Sequence, residues 1–213
     1  MQNHKSVVSL LKKEYPDPKC ELNFSNNYQL IVAVILSAQC TDKRVNLVTP
    51  KLLEKYPTVF ALADANVNEL EQIILACGFY HNKAKNLIAM AKGVVQKHSG
   101  EIPSSKADLV ALGGVGEKTA NVVLAAGFNI PAIAVDTHVF RVSNRLGLAN
   151  AKTVEKTQKQ LEKNVNIADW ITLHYALVLH GRYVCKAIKP KCENCNFAQV
   201  CKFATKMAKT KNK

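Results

Sequence analysis

The sequence is short of acidic residues, of arginine and of long hydrophobic runs. It has 213 residues, with 16 aspartates and glutamates against 29 lysines and arginines, and its longest apolar run, Leu30–Leu36, spans seven residues. A bilayer-spanning helix needs about 20 apolar residues, so a membrane protein does not fit. The first twenty residues carry lysines and no signal-peptide core. We therefore expect a cytoplasmic protein that binds no membrane.

The excess of positive charge indicates the kind of partner. The net charge of +13 comes chiefly from lysine, because the chain has only four arginines: Arg44, Arg141, Arg145 and Arg182. Lysine binds backbone phosphates as a point charge, whereas bidentate reading of bases prefers arginine. The composition favours a polyanionic partner that is bound with little sequence preference.

Apolar residues recur mostly at helical spacing, which predicts an all-α protein. The best strand candidate, Ala132–Val135, is short. No repeat or linker divides the chain, and the basic residues 204–213 are expected to form a solvated tail. The main predicted helical segments are Leu30–Ala38, Leu47–Leu53, Val67–Ala76, Lys83–Lys97, Ser105–Leu112, Glu117–Ala126, Thr137–Leu146, Thr153–Val165 and Trp170–Tyr183.

A glycine-rich turn precedes a helix in the middle of the chain, where residues 112–119 read L-G-G-V-G-E-K-T. Gly113, Gly114 and Gly116 permit a tight turn, and the helix begins close to Lys118. Backbone N–H groups exposed by such a turn suit a phosphate oxygen. An isolated G-G-V-G is more often a plain connection between helices, but this one lies in a strongly basic chain.

Asp136 follows Lys118 by eighteen residues. A helix of ten residues rises about 15 Å and the next segment can run back about 25 Å, so Asp136 can return to the level of Lys118. Only a neutral lysine amine is nucleophilic, so an active site here has to desolvate the ammonium, and the aspartate would accept or relay a proton. Taken separately, the lysine fits a solvated role and the aspartate fits a helix cap.

Four cysteines cluster near the end of the chain with the spacing C-x6-C-x2-C-x5-C, and they are Cys185, Cys192, Cys195 and Cys201. Four thiolates suit either zinc or an iron–sulfur cluster, and the single C-x2-C doublet favours iron–sulfur. Cys20, Cys40 and Cys77 are scattered and are interpreted as packing residues. Between the first two clustered cysteines, Lys189 and Lys191 form either a phosphate clamp or a solvated loop.

Together these motifs resemble endonuclease III, the bifunctional DNA glycosylase and abasic-site lyase of the helix-hairpin-helix superfamily. The resemblance runs from L-S-A-Q-C-T-D near residue 36 through L-G-G-V-G-E-K-T-A, V-D-T-H-V-F-R and L-H-G-R-Y-V-C to the cysteines. It implies a two-lobed all-α fold. A six-helix barrel lobe would cover residues 21–132, and residues 1–20 plus 133–213 would form an iron–sulfur lobe with a [4Fe-4S] cluster within 185–201.

The resemblance also implies a reaction. Lys118 would be the nucleophile that removes a damaged, oxidised pyrimidine from double-stranded DNA and cleaves the abasic strand through a Schiff base, with Asp136 as its catalytic partner. Gln39 resembles the residue that fills the gap left by the flipped base, and Phe79 falls near the wedge position, although ordinary packing is the alternative for both. We expect a monomer that associates with the nucleoid through DNA. The residues expected to contact DNA are Gly114, Val115, Gly116, Lys118, Gln39, Phe79, Lys189 and Lys191.

Three positions depart from the family pattern. Gly113 stands where proline is common, Glu117 where a basic residue often precedes the lysine, and Cys40 where alanine is usual. Two alternatives stay open. One is an adenine glycosylase acting on mismatches, which lacks the lysine and uses an acid on the helix corresponding to residues 28–38, where this sequence has none. The other is a non-catalytic DNA-binding module with a structural zinc.

Overall fold

The computed structural model describes residues 4–205, which are helical with no β-strand among them and so confirm the all-α prediction. The expected basic tail lies outside the described residues from residue 206 onward. No helix in the described part has both the length and the apolarity that a bilayer span requires. The α-helices are α1 His4–Glu14, α2 Asn27–Ser37, α3 Asp42–Lys55, α4 Val59–Ala63, α5 Val67–Ile74, α6 Tyr80–His98, α7 Lys106–Val110, α8 Glu117–Gly127, α9 Thr137–Leu146, α10 Val154–Asn164 and α11 Trp170–Tyr183.

The chain divides into two compact units. One comprises Glu21–Ile130, and the other combines Met1–Cys20 with Pro131–Lys213. The expected boundaries, at residues 21–132 with a six-helix barrel and 1–20 plus 133–213, stay a prediction. Each unit has its own buried helix that organises its core.

Helix α2 forms the centre of the 21–130 unit. The Asn26 side chain accepts a hydrogen bond from the backbone N–H of Gln29 and so caps the helix. All seven residues of the apolar run Leu30–Leu36 are buried, and α2 packs against α3, α6 and α8. The seven-residue apolar run therefore belongs to a buried core helix of this unit. It is apolar on every face because other helices pack around it.

Two elements of this unit differ from the prediction. Helix α3 begins at Asp42, five residues before the predicted start at Leu47, because Thr41 Oγ1 accepts a hydrogen bond from the Arg44 N–H at 3.3 Å. The five-residue α4 was not predicted, and it packs against α6. Apolar periodicity could predict neither feature, because the first turn of α3 is set by its cap residue and α4 is shorter than two helical turns.

The second unit is built around α11. Helix α11 packs against α1 and α9, and α10 packs against α9. The strand candidate Ala132–Val135 is buried but belongs to no strand in the described residues, so its apolar run is a buried connection into α9. Leu11, Ile133, Val142, Leu161, Leu173 and Phe197 are among the residues of this unit's core.

Candidate functional site

The glycine-rich turn between α7 and α8 lies close against α6. A Cβ atom on Gly114 would lie 2.5 Å from Asn86 Cβ, and the backbone there has a φ of +73°, so both space and conformation require glycine. A Cβ on Gly113 would lie 2.5 Å from Ala89 Cβ. The close approach of the turn to α6 therefore leaves no room for a side chain at Gly113 or Gly114 without a shift of α6.

The N-terminus of α8 is open at this turn. Gly116 is the N-cap residue and offers no side-chain hydrogen bond to the first turn. Val115 is buried, whereas Gly116 and Glu117 are exposed. The positive end of the helix dipole thus faces outward, next to backbone N–H groups that can donate hydrogen bonds to an anion. This geometry suits a phosphate oxygen.

Lys118 lies in the first turn of α8 with an exposed side chain. Its neighbour Glu117 accepts a hydrogen bond from Lys106, with 3.1 Å between Lys106 Nζ and Glu117 Oε2. Burial in the free protein therefore does not desolvate this amine, and the role of Lys118 as a nucleophile stays a prediction.

Asp136 is the N-cap of α9 in the other unit. Its Oδ1 atom accepts a hydrogen bond from the Val139 N–H at 2.7 Å, and the residue is half-buried. The capping role considered from the sequence is therefore present. The pairing of Asp136 with Lys118 stays a prediction.

Three residues expected to contact DNA share an unusual backbone conformation. Gln39, Phe79 and Lys189 have φ values of 52°, 49° and 50°, in the left-handed region that side chains with a Cβ rarely adopt. All three side chains are exposed. Ser99 and Asn129 have the same backbone conformation, so it does not by itself set these three positions apart, and their contact with DNA stays a prediction. The sequence carries no signal for this conformation, because none of the three is glycine or asparagine.

The four clustered cysteines form no disulfide, and their thiols lie close enough to influence one another. Burial raises the pKa of Cys192 and of Cys195, and the neighbouring thiols raise both further. Cys185 and Cys201 are buried. Within residues 4–205, no three His, Cys, Asp or Glu side chains gather tightly enough to hold one metal ion.

The donor set bears on the kind of metal site. The four clustered side chains are all thiols, which suit either a tetrahedral zinc ion or a four-iron cluster. Their spacing along the chain, one C-x2-C doublet flanked by single cysteines, favours the cluster.

Two of the four arginines hold the segment that follows α11. Arg145 Nη1 donates to Lys186 O at 2.8 Å and to Cys185 Sγ at 3.4 Å, and Arg141 Nε donates to Cys185 O at 3.0 Å. Cys201 Sγ in turn donates to Arg145 O at 3.4 Å. Sequence reasoning missed these roles, because the partners lie about forty or more positions away along the chain.

The His180 side chain was also missed. It is buried beside the cysteines, with its Nδ1 3.0 Å from Tyr15 Oη and its Nε2 3.7 Å from Cys195 Sγ. Burial lowers the pKa of His180 to about 4, so the ring is neutral at pH 7. A neutral imidazole carries a single N–H. The ring therefore connects Tyr15, which follows α1, to Cys195 in the cysteine segment without adding a charge.

Known proteins share this arrangement. Residues 32–166 match the model of the HhH-GPD superfamily of base excision DNA repair proteins. A Synechocystis endonuclease III is 44% identical over 94% of this chain and 92% of its own length, and a Bacillus subtilis endonuclease III is 44% identical over 98% and 97%. The chain belongs to the endonuclease III family. An Escherichia coli endonuclease III is 42% identical over 94% of this chain and 95% of its own length.

Solved structures agree with this family membership. An endonuclease III–DNA complex trapped as a covalent intermediate is 40% identical, with a TM-score of 0.92 over 98% of this chain and 100% of that chain. A thermostable thymine-DNA glycosylase is 22% identical with a TM-score of 0.84, over 95% of this chain and 97% of that chain. The second likeness shows the fold alone.

Proposed function

We propose that this member of the endonuclease III family is a bifunctional enzyme of base excision repair, a DNA glycosylase and an abasic-site lyase. The observation that carries the proposal is the likeness, over nearly the whole chain, to an endonuclease III trapped covalently on DNA. Covalent capture requires a nucleophile, and Lys118 is an exposed amine beside an uncapped helix N-terminus. The substrate is double-stranded DNA with an oxidised pyrimidine or an abasic site.

Binding uses the 21–130 unit and the basic loop of the other unit. The backbone N–H groups of Gly114, Val115 and Gly116 hold a phosphate, which brings the sugar next to Lys118. The strained segments at Gln39 and Phe79 enter the space from which the damaged nucleotide is flipped. Lys189 and Lys191 contact the phosphate backbone from the cysteine segment.

Catalysis follows from the neutral amine of Lys118. Its nitrogen forms a bond to C1′, and the bond between C1′ and the base breaks, so that the base leaves with the bonding electrons and gains a proton. Asp136 accepts a proton from the attacking nitrogen and stabilises the positive charge that develops on the sugar. Opening of the sugar ring gives a Schiff base. Loss of a C2′ proton then expels the 3′ phosphate by β-elimination.

The cysteine segment fits a [4Fe-4S] cluster bound by Cys185, Cys192, Cys195 and Cys201. When bound, the cluster supplies four iron–sulfur bonds that hold residues 185–201 folded. Arg145 already fixes the start of this segment through Cys185 and Lys186. The lysine-bearing loop is therefore held at both ends, which gives its charges a defined position.

The two alternatives lack support. An adenine glycosylase needs an acid on α2, and Asn27–Ser37 contains no aspartate or glutamate. A non-catalytic zinc module does not account for the likeness, over nearly the whole chain, to an endonuclease III trapped covalently on DNA. The monomeric state and the cytoplasmic, nucleoid-associated location stay predictions.

Borohydride trapping tests the proposal. The protein is incubated with duplexes carrying thymine glycol or an abasic site, and we expect a covalent complex that Lys118→Ala does not form. Lys156→Ala is the matched control, because Lys156 is also an exposed lysine in the first turn of a helix, α10, but lies in the other unit. Trapping by Lys118→Ala at the parental rate would place the nucleophile elsewhere.

A further inference from the structure

Helix α6 begins in an unusual way. The N-cap residues of α2–α5 and of α7–α10 all have an extended backbone, which is typical of the start of a helix. The N-cap residue of α6 is Phe79, whose φ of 49° and ψ of 27° lie in the left-handed region, and its side chain makes no capping hydrogen bond. Ser99 and Asn129 share this conformation, but they follow the ends of helices, where it is common. The start of α6 therefore needs another source of stability.

The residue before Phe79 also has a rare backbone conformation. Gly78 has a φ of +59° and a ψ of 155°, a combination that is essentially restricted to glycine. A Cβ atom on Gly78 would meet nothing within 4 Å, so the backbone conformation requires glycine and the space around it does not. Packing of the Phe79 ring does not stabilise this turn, because that side chain is 65% exposed. The contacts that hold the turn must come from elsewhere in the 21–130 unit.

Lys83 supplies two of these contacts. Its backbone N–H donates to Phe79 O at 3.1 Å, and its side-chain Nζ donates to Cys77 O at 2.6 Å. One residue therefore binds carbonyl groups on both sides of Gly78. The two hydrogen bonds fix the path of the chain through Gly78 and Phe79, and so they also fix the direction in which the Phe79 side chain leaves the backbone.

The location of Lys83 is energetically costly. The residue is 4% exposed, and burial lowers the pKa of its ammonium group. The acceptor at Cys77 is a neutral carbonyl oxygen, so this contact does not compensate the buried cation with an opposite charge. An apolar side chain of similar length would fill the same space at a lower cost in folding free energy. What a lysine adds at this position is the hydrogen bond to Cys77 O.

We propose that Lys83 is a positioning residue for extrusion of the damaged nucleotide, because its two hydrogen bonds hold Phe79 in the conformation that inserts into the duplex. This role rests on the proposed function, in which the Phe79 segment enters the space from which the nucleotide is flipped. Insertion costs unstacking energy, which only a well-placed side chain recovers. Without the bond to Cys77 O, the turn has more conformations available, and fewer of them place the ring correctly. Lys83 is buried and acts through Phe79.

Amide hydrogen exchange tests the structural part of the proposal without DNA. Lys83→Met keeps the length of the side chain but removes the donor, so amides in residues 79–86 should exchange several-fold faster than in the parent. The protein should still fold, since an apolar residue replaces a buried charge. Lys92→Met is the matched control, because Lys92 is an exposed lysine further along α6. Unchanged exchange in Lys83→Met would overturn the proposal. A variant that does not fold would also overturn it, because Lys83 would then support the core as a whole.

A double-mutant cycle tests the functional part. The full-length, iron-loaded protein is mixed with a duplex that carries 2-aminopurine beside a non-cleavable abasic analogue, and the rise in fluorescence reports extrusion of the abasic nucleotide. We expect Lys83→Met to slow extrusion several-fold in the parent and to have no further effect in Phe79→Ala, since Lys83 acts through that side chain. Equal slowing in both backgrounds would make Lys83 a general structural residue and would contradict the positioning role.

The same cycle distinguishes failure of this proposal from failure of the proposed function. If Phe79→Ala extrudes the nucleotide as fast as the parent does, the insertion of Phe79 assumed in the proposed function is wrong, and the role of Lys83 in extrusion is lost with it. If Phe79→Ala is slow and Lys83→Met is not, only the positioning role is wrong. Gly78→Ala strains the same turn without changing Lys83, and it should slow extrusion as Lys83→Met does. Borohydride trapping tests the Lys118 chemistry separately.

Discussion

Glu117 accepts a hydrogen bond from Lys106 at the start of the helix that carries Lys118, with 3.1 Å between Lys106 Nζ and Glu117 Oε2. The Lys106 side chain is 43% exposed and that of Glu117 is 70% exposed, so the pair adds little to folding stability. Its importance is electrostatic. The pair places a carboxylate beside the proposed phosphate site and keeps one lysine turned towards that carboxylate.

Replacing Glu117 with glutamine should strengthen DNA binding. The change removes a negative charge and releases Lys106, so we expect affinity to rise and the salt slope of binding to steepen by about one unit. Thermal stability should change little, because a glutamate in a first helical turn contributes about 0.3 to 1 kcal/mol. Fluorescence anisotropy against salt concentration measures the slope. Lys106→Gln should have the opposite effect, and equal slopes in all three proteins would contradict the electrostatic role.

Two substitutions of Asp136 should distinguish its role as a helix cap from its proposed catalytic role. Asparagine caps a helix as well as aspartate does, so Asp136→Asn should keep the parental melting temperature yet reduce single-turnover base release by about 100-fold or more. Asp136→Ala should lose activity and also about 1 kcal/mol of stability, which lowers the melting temperature by about 2 to 4 °C. Full activity of Asp136→Asn would leave the residue as a cap alone.

Helix bounds were predicted best where a stretch of helical apolar periodicity is flanked by clear helix-starting and helix-ending residues. Helix α11 has the predicted bounds, Trp170–Tyr183, and α8 ends one residue beyond the predicted Ala126. Local sequence did not predict α4, whose five residues are fewer than two helical turns. The segment Ala132–Val135 was ambiguous for a different reason, since a short buried run has the same apolar pattern whether or not it pairs with a strand.

The candidate site was predictable in its motifs and not in its supporting contacts. The glycine turn and the spacing of the four cysteines are local patterns, so they could be read from the sequence. The left-handed backbone at Gln39 and the contacts of Arg145 with Cys185 and Lys186 depend on tertiary packing, which a single sequence does not contain.

Arg145→Lys should weaken the cysteine segment. The substitution keeps the positive charge but loses the planar fork that donates to Lys186 O at 2.8 Å and Ala187 O at 3.2 Å. We expect a loss of about 1 to 3 kcal/mol in unfolding free energy and faster loss of iron during incubation with a chelator. Chemical denaturation and iron analysis measure these effects. Unchanged iron retention would show that the four cysteines hold the segment without this arginine.

The loop lysines should contribute to DNA binding through phosphate contacts. Lys189 and Lys191 are exposed, and Lys191 N donates to Val184 O at 3.1 Å, which folds the loop back towards α11. Replacing both lysines with glutamine should lower the salt slope by about two units, since each phosphate contact on duplex DNA contributes about 0.9. Lys156→Gln with Lys159→Gln on α10 removes the same charge from another surface. If that control lowers the slope equally, the loop acts only through net charge and makes no phosphate contact of its own.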